Sequence, residues 1–428
     1  MKRVGSLVLT LIACFVSATW AQPAAAVPRF GKQWLPRHRM VNGMPRTLGA
    51  NGLNSAAPAA AAATLKTWDL GTYPGGTWAQ LLGINNFGVA AGWGDVAGDT
   101  RMIGVPLFGP NAGKWFESGV SSQDDPWVPY GSAIADTGLI VGSITGKDGE
   151  ARAYAWSPSH GGVDLGTLEG DKGSDAIAVN HLGTLIVGVS YPEAWDISTA
   201  VAWTPEMRWH EGKWTVTWKI HKLPTGGLDQ PGRVYEGDTL SYWGGWGVND
   251  LGQIAGDGWS PLSNLAVVWN PIHGGKEWEI QRLPSQSTHP IVADHMYTGV
   301  AGINNRGEIV GYVSAADGWS ALLPALWTTS PKVHTWELTE LPTLSGERTG
   351  SCNWCVWGIN DLGDAVGQSV DADGNYLATR WLTRNPSFVK AIGFPGDTSV
   401  AFYVNNLGIA VGSYNSGGPD QAFAAAIH

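Results

Sequence analysis

The sequence predicts an all-β protein built from seven repeats, on the evidence of a recurring turn, a recurring tryptophan and the absence of a sustained helical period. The turn is an apolar residue, an Asn/Asp-rich step and a closing glycine, at residues 83–88, 133–138, 178–183, 247–252, 302–307, 358–363 and 403–408. The closing glycines are separated by 50, 45, 69, 55, 56 and 45 residues. Repeats of roughly 40 to 50 residues are typical of propellers and solenoids.

Each recurring turn is predicted to join the first two strands of its repeat. Asn and Gly tolerate positive φ, which a tight connection between antiparallel strands requires. The stretch that follows is short and β-branched, as at residues 139–142 and 308–311. The turn and its flanks therefore indicate a β-hairpin.

A third and a fourth strand are predicted to complete each repeat. The third ends in tryptophan in five repeats, at Trp156, Trp203, Trp269, Trp327 and Trp381. The fourth run closes at residues 164–168 in one repeat and at Leu-Pro pairs in three others, residues 223–224, 283–284 and 341–342. Four short strands in each repeat favour an all-β fold.

The two ends of the repeat array predict a closed ring. Residues 64–71 form a fourth strand with no repeat before it, whereas the last repeat supplies three strands and ends at 421–424. If the N-terminal strand completes the last blade, the ring has no exposed edge. Residues 64–428 are therefore predicted to form one seven-bladed β-propeller. An open solenoid is the alternative, but it needs capping ends, and none is visible.

The 69-residue interval between Gly183 and Gly252 is longer than the others. It leaves room for an inserted loop or hairpin near residues 209–218, with its turn at 209–214.

The N-terminus predicts export. Lys2 and Arg3 precede an apolar run at residues 4–16, and small residues lead to Ala21, so residues 1–21 resemble a signal peptide. In an alternative interpretation, the Leu-Ile-Ala-Cys sequence ending at Cys14 is a lipobox and Cys14 is a lipid anchor. The predicted location is secreted, extracellular or periplasmic, with an outer-membrane lipoprotein as the alternative. No other stretch is apolar enough to span a membrane.

Charge argues against nucleic acid as a partner. Removing residues 1–21 takes two basic and no acidic residues, so the formal net charge goes from −10 to −12. An acidic exported protein is a poor nucleic-acid binder. Residues 22–63 are rich in Ala and Pro and have no strand pattern, which predicts a flexible linker. They carry Arg29, Lys32, Arg37, Arg39 and Arg46.

The repeat also resembles a known family. The pattern Gly-Ile-Asn-Asn-x-Gly-x-x-Val-Gly, clearest at residues 302–311 and 358–367, and Asp-Leu-Gly-Thr-Leu at 164–168 are similar to the bacterial extracellular HAF-repeat family. The His-Ala-Phe signature is degraded, and Gln421-Ala422-Phe423 is its nearest match. The resemblance implies export and a β-repeat fold. It implies no established chemistry.

Candidate ligand-binding residues fall in the connections from second to third strand and from fourth strand to the next first strand. In a propeller these connections share one face, around the mouth of the channel, and a rigid scaffold holds them. Aromatic platforms interleaved with carboxylates suit sugars, whose apolar faces stack and whose hydroxyls need acceptors. The candidates are Trp127, Tyr130, Trp195, Asp238, Trp259, Asp294, Trp319 and Trp354. Tyr191 and Asp257 are also assigned to these connections, whereas tryptophans within strands are expected to fill the wedges between blades.

The densest titratable group suggests an enzymatic alternative. His295 and Tyr297 are suited to act as general base and acid in a β-elimination, with an arginine such as Arg233 or Arg348 neutralising a uronate carboxylate. The comparison with propeller-fold polysaccharide lyases is an analogy of fold only.

Two further motifs have structural interpretations. Cys352 and Cys355 are the only thiols left after Cys14, so a local disulfide is expected in an exported chain. Residues 371–375, Asp-Ala-Asp-Gly-Asn, resemble the opening of a calcium loop, but the twelfth position is Leu382 rather than Glu, which excludes an EF-hand. We expect no cofactor, with a looser calcium site as the alternative.

The sequence thus predicts an exported binding propeller whose loop-bearing face recognises a carbohydrate or an extracellular protein. A polysaccharide lyase or hydrolase acting at the same face, and a structural envelope or matrix component, are the alternatives.

Overall fold

A computed structural model describes most of the predicted ring. The described residues are 66–122, 133–146, 148–192, 197–210, 213–230, 239–260, 263–285, 297–314, 322–329, 335–346, 355–394 and 398–428. Within these ranges the secondary structure is entirely strands and turns, in seven sheets of four strands. A search of these ranges finds no helix with the length and apolar character needed to cross a membrane.

Each blade is one antiparallel sheet. The strands are given from the innermost outward. Blade 1 is β2 (Ala79–Ile84), β3 (Val89–Val96), β4 (Asp99–Pro106) and β5 (Phe116–Ser122), and blade 2 is β6 (Ala133–Ile134), β7 (Ile140–Thr145), β8 (Ala151–Ser157) and β9 (Gly161–Asp164). Blade 3 is β10 (Gly173–Val179), β11 (Ile186–Tyr191), β12 (Thr199–His210) and β13 (Lys213–Lys222), and blade 4 is β14 (Tyr242–Val248), β15 (Ile254–Trp259), β16 (Asn264–Ile272) and β17 (Glu277–Arg282). Blade 5 is β18 (Thr298–Ile303), β19 (Ile309–Ser314), β20 (Leu322–Thr329) and β21 (Trp336–Glu340), and blade 6 is β22 (Val356–Ile359), β23 (Asp364–Val370), β24 (Tyr376–Leu382) and β25 (Asn385–Ala391). Blade 7 is β26 (Thr398–Val404), β27 (Ile409–Asn415), β28 (Gln421–Ala426) and β1 (Lys66–Gly71).

The N-terminal strand closes the ring, as predicted. β1 is the outermost strand of the seventh blade and pairs antiparallel with β28, with Lys66 opposite Ala426 and Thr67 opposite Ala425. The first strands of neighbouring blades contact one another around the ring, including β2 of blade 1 and β26 of blade 7. The fold is a seven-bladed β-propeller, and the open solenoid is excluded.

The recurring turn joins the first two strands, but glycine alone supplies its positive φ. Gly88 has a φ of 76°, and the equivalent glycines of the other blades are also positive. The asparagines are not: Ala97 and His273 are the only non-glycine residues with positive φ in the described ranges. Asn85 instead fixes its turn through its side chain, because its Oδ1 accepts hydrogen bonds from the backbone N–H groups of Phe87 and Val89.

The same asparagines also link the blades. Each is at most 3% exposed, and five of the six donate from Nδ2 to a backbone carbonyl of the next blade. These bonds run from Asn85 to Ala135, Asn249 to Asn304, Asn304 to Asn360, Asn360 to Asn405 and Asn405 to Asn85. The exception is Asn180, whose Nδ2 stays within its own turn on Thr184 Oγ1.

The recurring Trp and the Leu-Pro pair are two halves of one contact between blades. Nε1 of Trp269 donates to Pro224 O, at 2.8 Å, in the preceding blade. The same bond joins Trp327 to Pro284 and Trp381 to Pro342. The Leu-Pro pairs follow the fourth strands rather than lie in them, since β13, β17 and β21 end one residue before the leucine.

A lengthened outer hairpin in blade 3 takes up part of the long interval. β12 and β13 have 12 and 10 residues, and ten residues of β12 pair with all of β13, from Val201 opposite Lys222 to His210 opposite Lys213. This confirms the hairpin that the sequence predicts there.

A bulge in six of the first strands sets which residues line the central channel. The register shifts between Gly245 and Gly247 in β14, for example, so Trp246 is the extra residue. The bulged residues are Leu82, Ile177, Trp246, Ala301, Trp357 and Phe402, all half-buried. The rings of Trp357 and Phe402, from adjacent blades, meet edge to face with centroids 5.5 Å apart. The innermost strands therefore give the channel a mainly apolar lining.

Candidate functional site

Most of the predicted site residues lie outside the described residues. These are His295, Arg348, Trp127, Tyr130, Trp195, Asp238, Asp294, Trp319, Trp354 and Cys352. Trp259, Tyr297 and Cys355 are described. The site is therefore built here from the described parts of the loop-bearing face, by which we mean the face that carries the second-to-third and fourth-to-first connections.

Trp259 and Tyr297 lie at the same edge of blades 4 and 5. Trp259, the last residue of β15, pairs with Tyr242 on one side and Asn264 on the other. Asn264 in turn forms a parallel bridge to Tyr297. Trp259 is half-buried and Tyr297 is 8% exposed. The structure thus brings together two residues that the sequence assigned to different roles.

Asp257 and Tyr191 were expected in loops, but they lie in strands. Tyr191 ends β11, and Asp257 is inside β15. Asp257 is buried, and its carboxylate accepts hydrogen bonds from Trp246 Nε1 at 2.7 Å and Asn264 Nδ2 at 3.3 Å. The side chain is therefore part of the blade interior rather than a contact on an exposed loop.

Burial controls the protonation of this group of side chains. It raises the pKa of Asp257 to about 7, although the hydrogen bonds from Trp246 and Asn264 act in the opposite direction. Asn264 Nδ2 also donates to Tyr312 Oη at 2.9 Å. Burial, and then the Asp257 charge, raises the pKa of Tyr242 and of Tyr312 well above the usual value. Both phenols are therefore neutral at physiological pH.

Blade 4 contains three buried polar atoms without a hydrogen-bond partner: Tyr242 Oη, Asn264 Oδ1 and Trp243 Nε1. Leaving such an atom unsatisfied costs roughly 1–3 kcal/mol, so a native structure with several close together needs a reason for them. The same indole atom is unpaired in Trp203, where the preceding blade lacks a Leu-Pro pair. The absence of a Leu-Pro pair does not explain the unpaired atoms of Tyr242 and Asn264.

A cleft lies between blades 3 and 4 at the loop-bearing face. Its volume is about 140 Å³, below the range of about 300–1,000 Å³ that is usual for drug-sized ligands, so it accommodates a small group or one unit of a polymer. Its polar lining is Ser198, Thr199, Lys222, Thr225, Asp229 and Ser241. Its apolar lining includes Ile197, Leu240, Trp243 and Trp269.

Hydrogen bonds between the two blades fix the walls of this cleft. The backbones of Ser198 and Trp243 bond to each other, and Ser198 Oγ donates to Trp243 O at 3.1 Å. The Ser241 N–H donates to Trp259 O, so the backbone of one cleft wall is bonded to the last residue of β15. Trp259 therefore lies beside the rim of the cleft, with its side chain on the sheet face of Tyr242 rather than on that of Trp243, which lines the cleft.

Sequence reasoning did not identify the residues that line the cleft in blade 3. Ser198, Thr199, Lys222 and Thr225 are ordinary polar residues at strand ends, and no local pattern marks them. They come together because residue 198 precedes β12 and residue 223 follows β13, and these two strands are neighbours in blade 3.

The two remaining motifs have these positions. Cys355 is fully buried at the start of blade 6, and its disulfide with Cys352 stays a prediction. Asp371 Oδ1 accepts hydrogen bonds from the N–H groups of Asp373 and Asn375, so the carboxylate shapes the turn between β23 and β24. Among the described residues, no group of three or more His, Cys, Asp or Glu side chains is arranged to hold a metal ion.

Comparison with known proteins gives no relative close enough to assign a function. No family model and no curated protein matches the chain. Among solved structures, TolB from Acinetobacter baumannii has a TM-score of 0.37 and 8% identity, covering 76% of this chain and 59% of its own. Trypanosoma rangeli sialidase in complex with sialic acid has a TM-score of 0.40 and 9% identity, covering 86% of this chain and 59% of its own. The BP39L lectin from Burkholderia pseudomallei has a TM-score of 0.39 and 13% identity, covering 81% of this chain and 98% of its own.

The chain thus spans about three fifths of the length of the TolB and sialidase structures. At these TM-scores and identities the similarities carry no argument about ligand or activity. The resemblance to HAF-repeat proteins stays a prediction.

Proposed function

We propose that this protein is an exported binding propeller whose loop-bearing face recognises a carbohydrate. The observation that supports the proposal most is the cleft between blades 3 and 4, whose wall is hydrogen-bonded through Ser241 to the backbone of the half-buried Trp259. A glycan offers hydroxyls to polar walls and apolar ring faces to aromatic side chains. The cleft provides both kinds of wall within a volume suited to one sugar unit.

Charge and pairing within the cleft favour a neutral or mixed polar ligand. Lys222 and Asp229 place one charge of each sign in the lining, so neither a polyanion nor a polycation is selected. Ser198 and Ser241 tie the walls together, which holds the cleft in shape before a ligand arrives. Such preorganisation reduces the entropic cost of binding.

The test is binding of the secreted protein to a broad glycan array, alongside two single variants. Trp259→Ala removes the half-buried indole next to the rim of the cleft, and Trp209→Ala removes a more exposed indole on the outer hairpin of blade 3. We expect a glycan hit whose affinity falls at least about tenfold in Trp259→Ala and is unchanged in Trp209→Ala. Circular dichroism checks that both variants are folded.

Two results would contradict the proposal. One is binding of no glycan by folded protein at high concentration, which would shift the function to a protein partner or a structural role. The other is a hit that Trp259→Ala retains at full affinity, which would move the site elsewhere on the ring.

A further inference from the structure

The face opposite the loops carries a ring of exposed apolar side chains. The residue before the turn glycine is large and apolar in five of seven blades and is between 42% and 69% exposed. These residues are Phe87, Leu182, Leu251, Leu362 and Leu407. We call this set the apolar rim and the face that carries it the turn face. Exposed apolar groups arranged in one contiguous patch mark interaction sites.

Inside the apolar rim lies an acidic centre formed by Asp136, Asp250 and Asp361. Their oxygens accept hydrogen bonds from neighbouring turns, such as Asn86 N to Asp136 Oδ1 and Asn305 N to Asp361 Oδ1, at 2.8 Å each. Burial acts to raise the pKa of Asp361, but hydrogen bonds from Asn305 and Asn406 outweigh it, so the pKa is lowered and the carboxylate stays charged.

The carboxylates surround the channel axis. Tyr403 of blade 7 reaches His181 of blade 3, with Oη and Nε2 3.5 Å apart, and so crosses the ring. Burial first, and then the charges of the acidic centre, raises the pKa of this phenol. No lysine or arginine in the described ranges forms an ion pair with the three carboxylates. The turn face therefore combines an apolar rim with a negative centre.

The chain enters the ring at this same face. β1 begins at Lys66 opposite Ala426, and the next residue, Ile427, donates its N–H to Gly408 O at 2.9 Å, beside Leu407. Three strand spacings of about 4.8 Å put β1 roughly 14 Å from the innermost strand of its blade. About five extended residues cover that distance. The chain before Lys66 therefore needs only a short stretch to reach the turn face.

The chemistry of that preceding segment complements the turn face. Residues 22–65 contain five Arg or Lys residues and no Asp or Glu. Within them, Trp34-Leu35-Pro36-Arg37-His38-Arg39 joins two large apolar side chains to two arginines. We propose that residues 22–65 bind the turn face of their own ring, with Trp34 and Leu35 on the apolar rim and Arg37 and Arg39 over the acidic centre.

Photo-cross-linking of the full secreted chain tests this proposal. p-Benzoylphenylalanine replaces Leu407 or Leu251 in the apolar rim. In a control it replaces Ile197, which is 58% exposed on the loop-bearing face. We expect mass spectrometry to find cross-links from the two rim positions to peptides of residues 22–65, and none from Ile197. Arg37→Gln/Arg39→Gln should lower the yield about fivefold, and Arg37→Lys/Arg39→Lys should retain most of it.

A mixture of unlabelled and ¹⁵N-labelled protein separates contacts within one chain from contacts between chains. If the segment binds its own ring, the two peptides joined by each cross-link carry the same isotope. Products of mixed isotope would show that a second copy occupies the face. Cross-links from the rim to other parts of the chain only, or to no peptide of residues 22–65, would also overturn the proposal. None of these outcomes depends on whether the loop-bearing face binds a glycan.

Discussion

Asn405 Nδ2 donates a hydrogen bond of 2.9 Å to Asn85 O, and this bond joins the last blade to the first. The two residues are 320 positions apart in the chain and occupy the same position of their repeats. The bond adds to the pairing of β1 with β28 at the outer edge of blade 7. The ring is thus closed at both its inner and its outer radius.

Asn405→Ala is expected to destabilise the ring more than Asn180→Ala. Both substitutions remove the side-chain acceptor that shapes a turn, but Asn405 also satisfies a buried carbonyl of the next blade, whereas Asn180 bonds within its own turn. The difference should be about 0.5–1.5 kcal/mol, the net contribution of one hydrogen bond, because Asn85 O keeps its bond from the Gly88 N–H. Urea unfolding of the two variants measures it. Equal loss of stability would show that the cross-blade bond contributes nothing.

Trp269→Phe and Trp203→Phe form a second matched pair. Both indoles are fully buried on the third strand of their blades, but only Trp269 has a partner for Nε1, namely Pro224 O. Both variants lose volume, and Trp269→Phe in addition leaves the Pro224 carbonyl unpaired. We expect Trp269→Phe to lower the free energy of unfolding by about 1–2 kcal/mol more than Trp203→Phe. Thermal and urea unfolding provide the comparison, and the reverse order would contradict the role assigned to this bond.

The stability of the ring should fall as pH rises toward the folded-state pKa of Asp257. Burial raises that pKa to about 7 from the usual value of 3.8, so between these values the folded state binds the proton more tightly than the unfolded state. The contribution of the neutral carboxyl is full below pH 4 and is lost as pH rises through about 7.

Asp257→Asn isolates this effect. Its amide oxygen can still accept from Trp246 Nε1, but the side chain never ionises. The variant should exceed the native protein in stability at pH 8, by about 1–3 kcal/mol, and lose the advantage at pH 5. Urea unfolding at the two pH values decides the matter. A variant that is less stable at both would show that the Asp257 carboxylate is stabilising in the fold.

The architecture was predictable because its determinants repeat. A turn glycine that must adopt positive φ, such as Gly88, recurs in all seven repeats and a third-strand tryptophan in five, so weak local signals reinforce one another. The missing fourth strand of blade 7 was visible as an unpaired strand pattern at the N-terminus. Ring closure followed from the need to cover two edges.

The partners of individual side chains were not predictable in the same way. The turn asparagines were expected to supply positive φ. Asn85 and its equivalents instead donate hydrogen bonds from their side-chain amides to the turn of the next blade. Those bonds depend on the distance between adjacent blades, which the sequence does not reveal. Asp257 was expected in the connection from second to third strand, whereas β15 extends two residues beyond it. The cleft depends on residues 198 and 241, which become neighbours only when blade 3 packs on blade 4.

The most direct test of the proposed function is a crystal structure of the protein soaked with the glycan that the array selects. The account predicts electron density for one sugar unit in the cleft between blades 3 and 4, in contact with Ser241 and Asp229 and adjoining Trp259. Density for the bound glycan at any other surface, with this cleft containing only solvent, would contradict it.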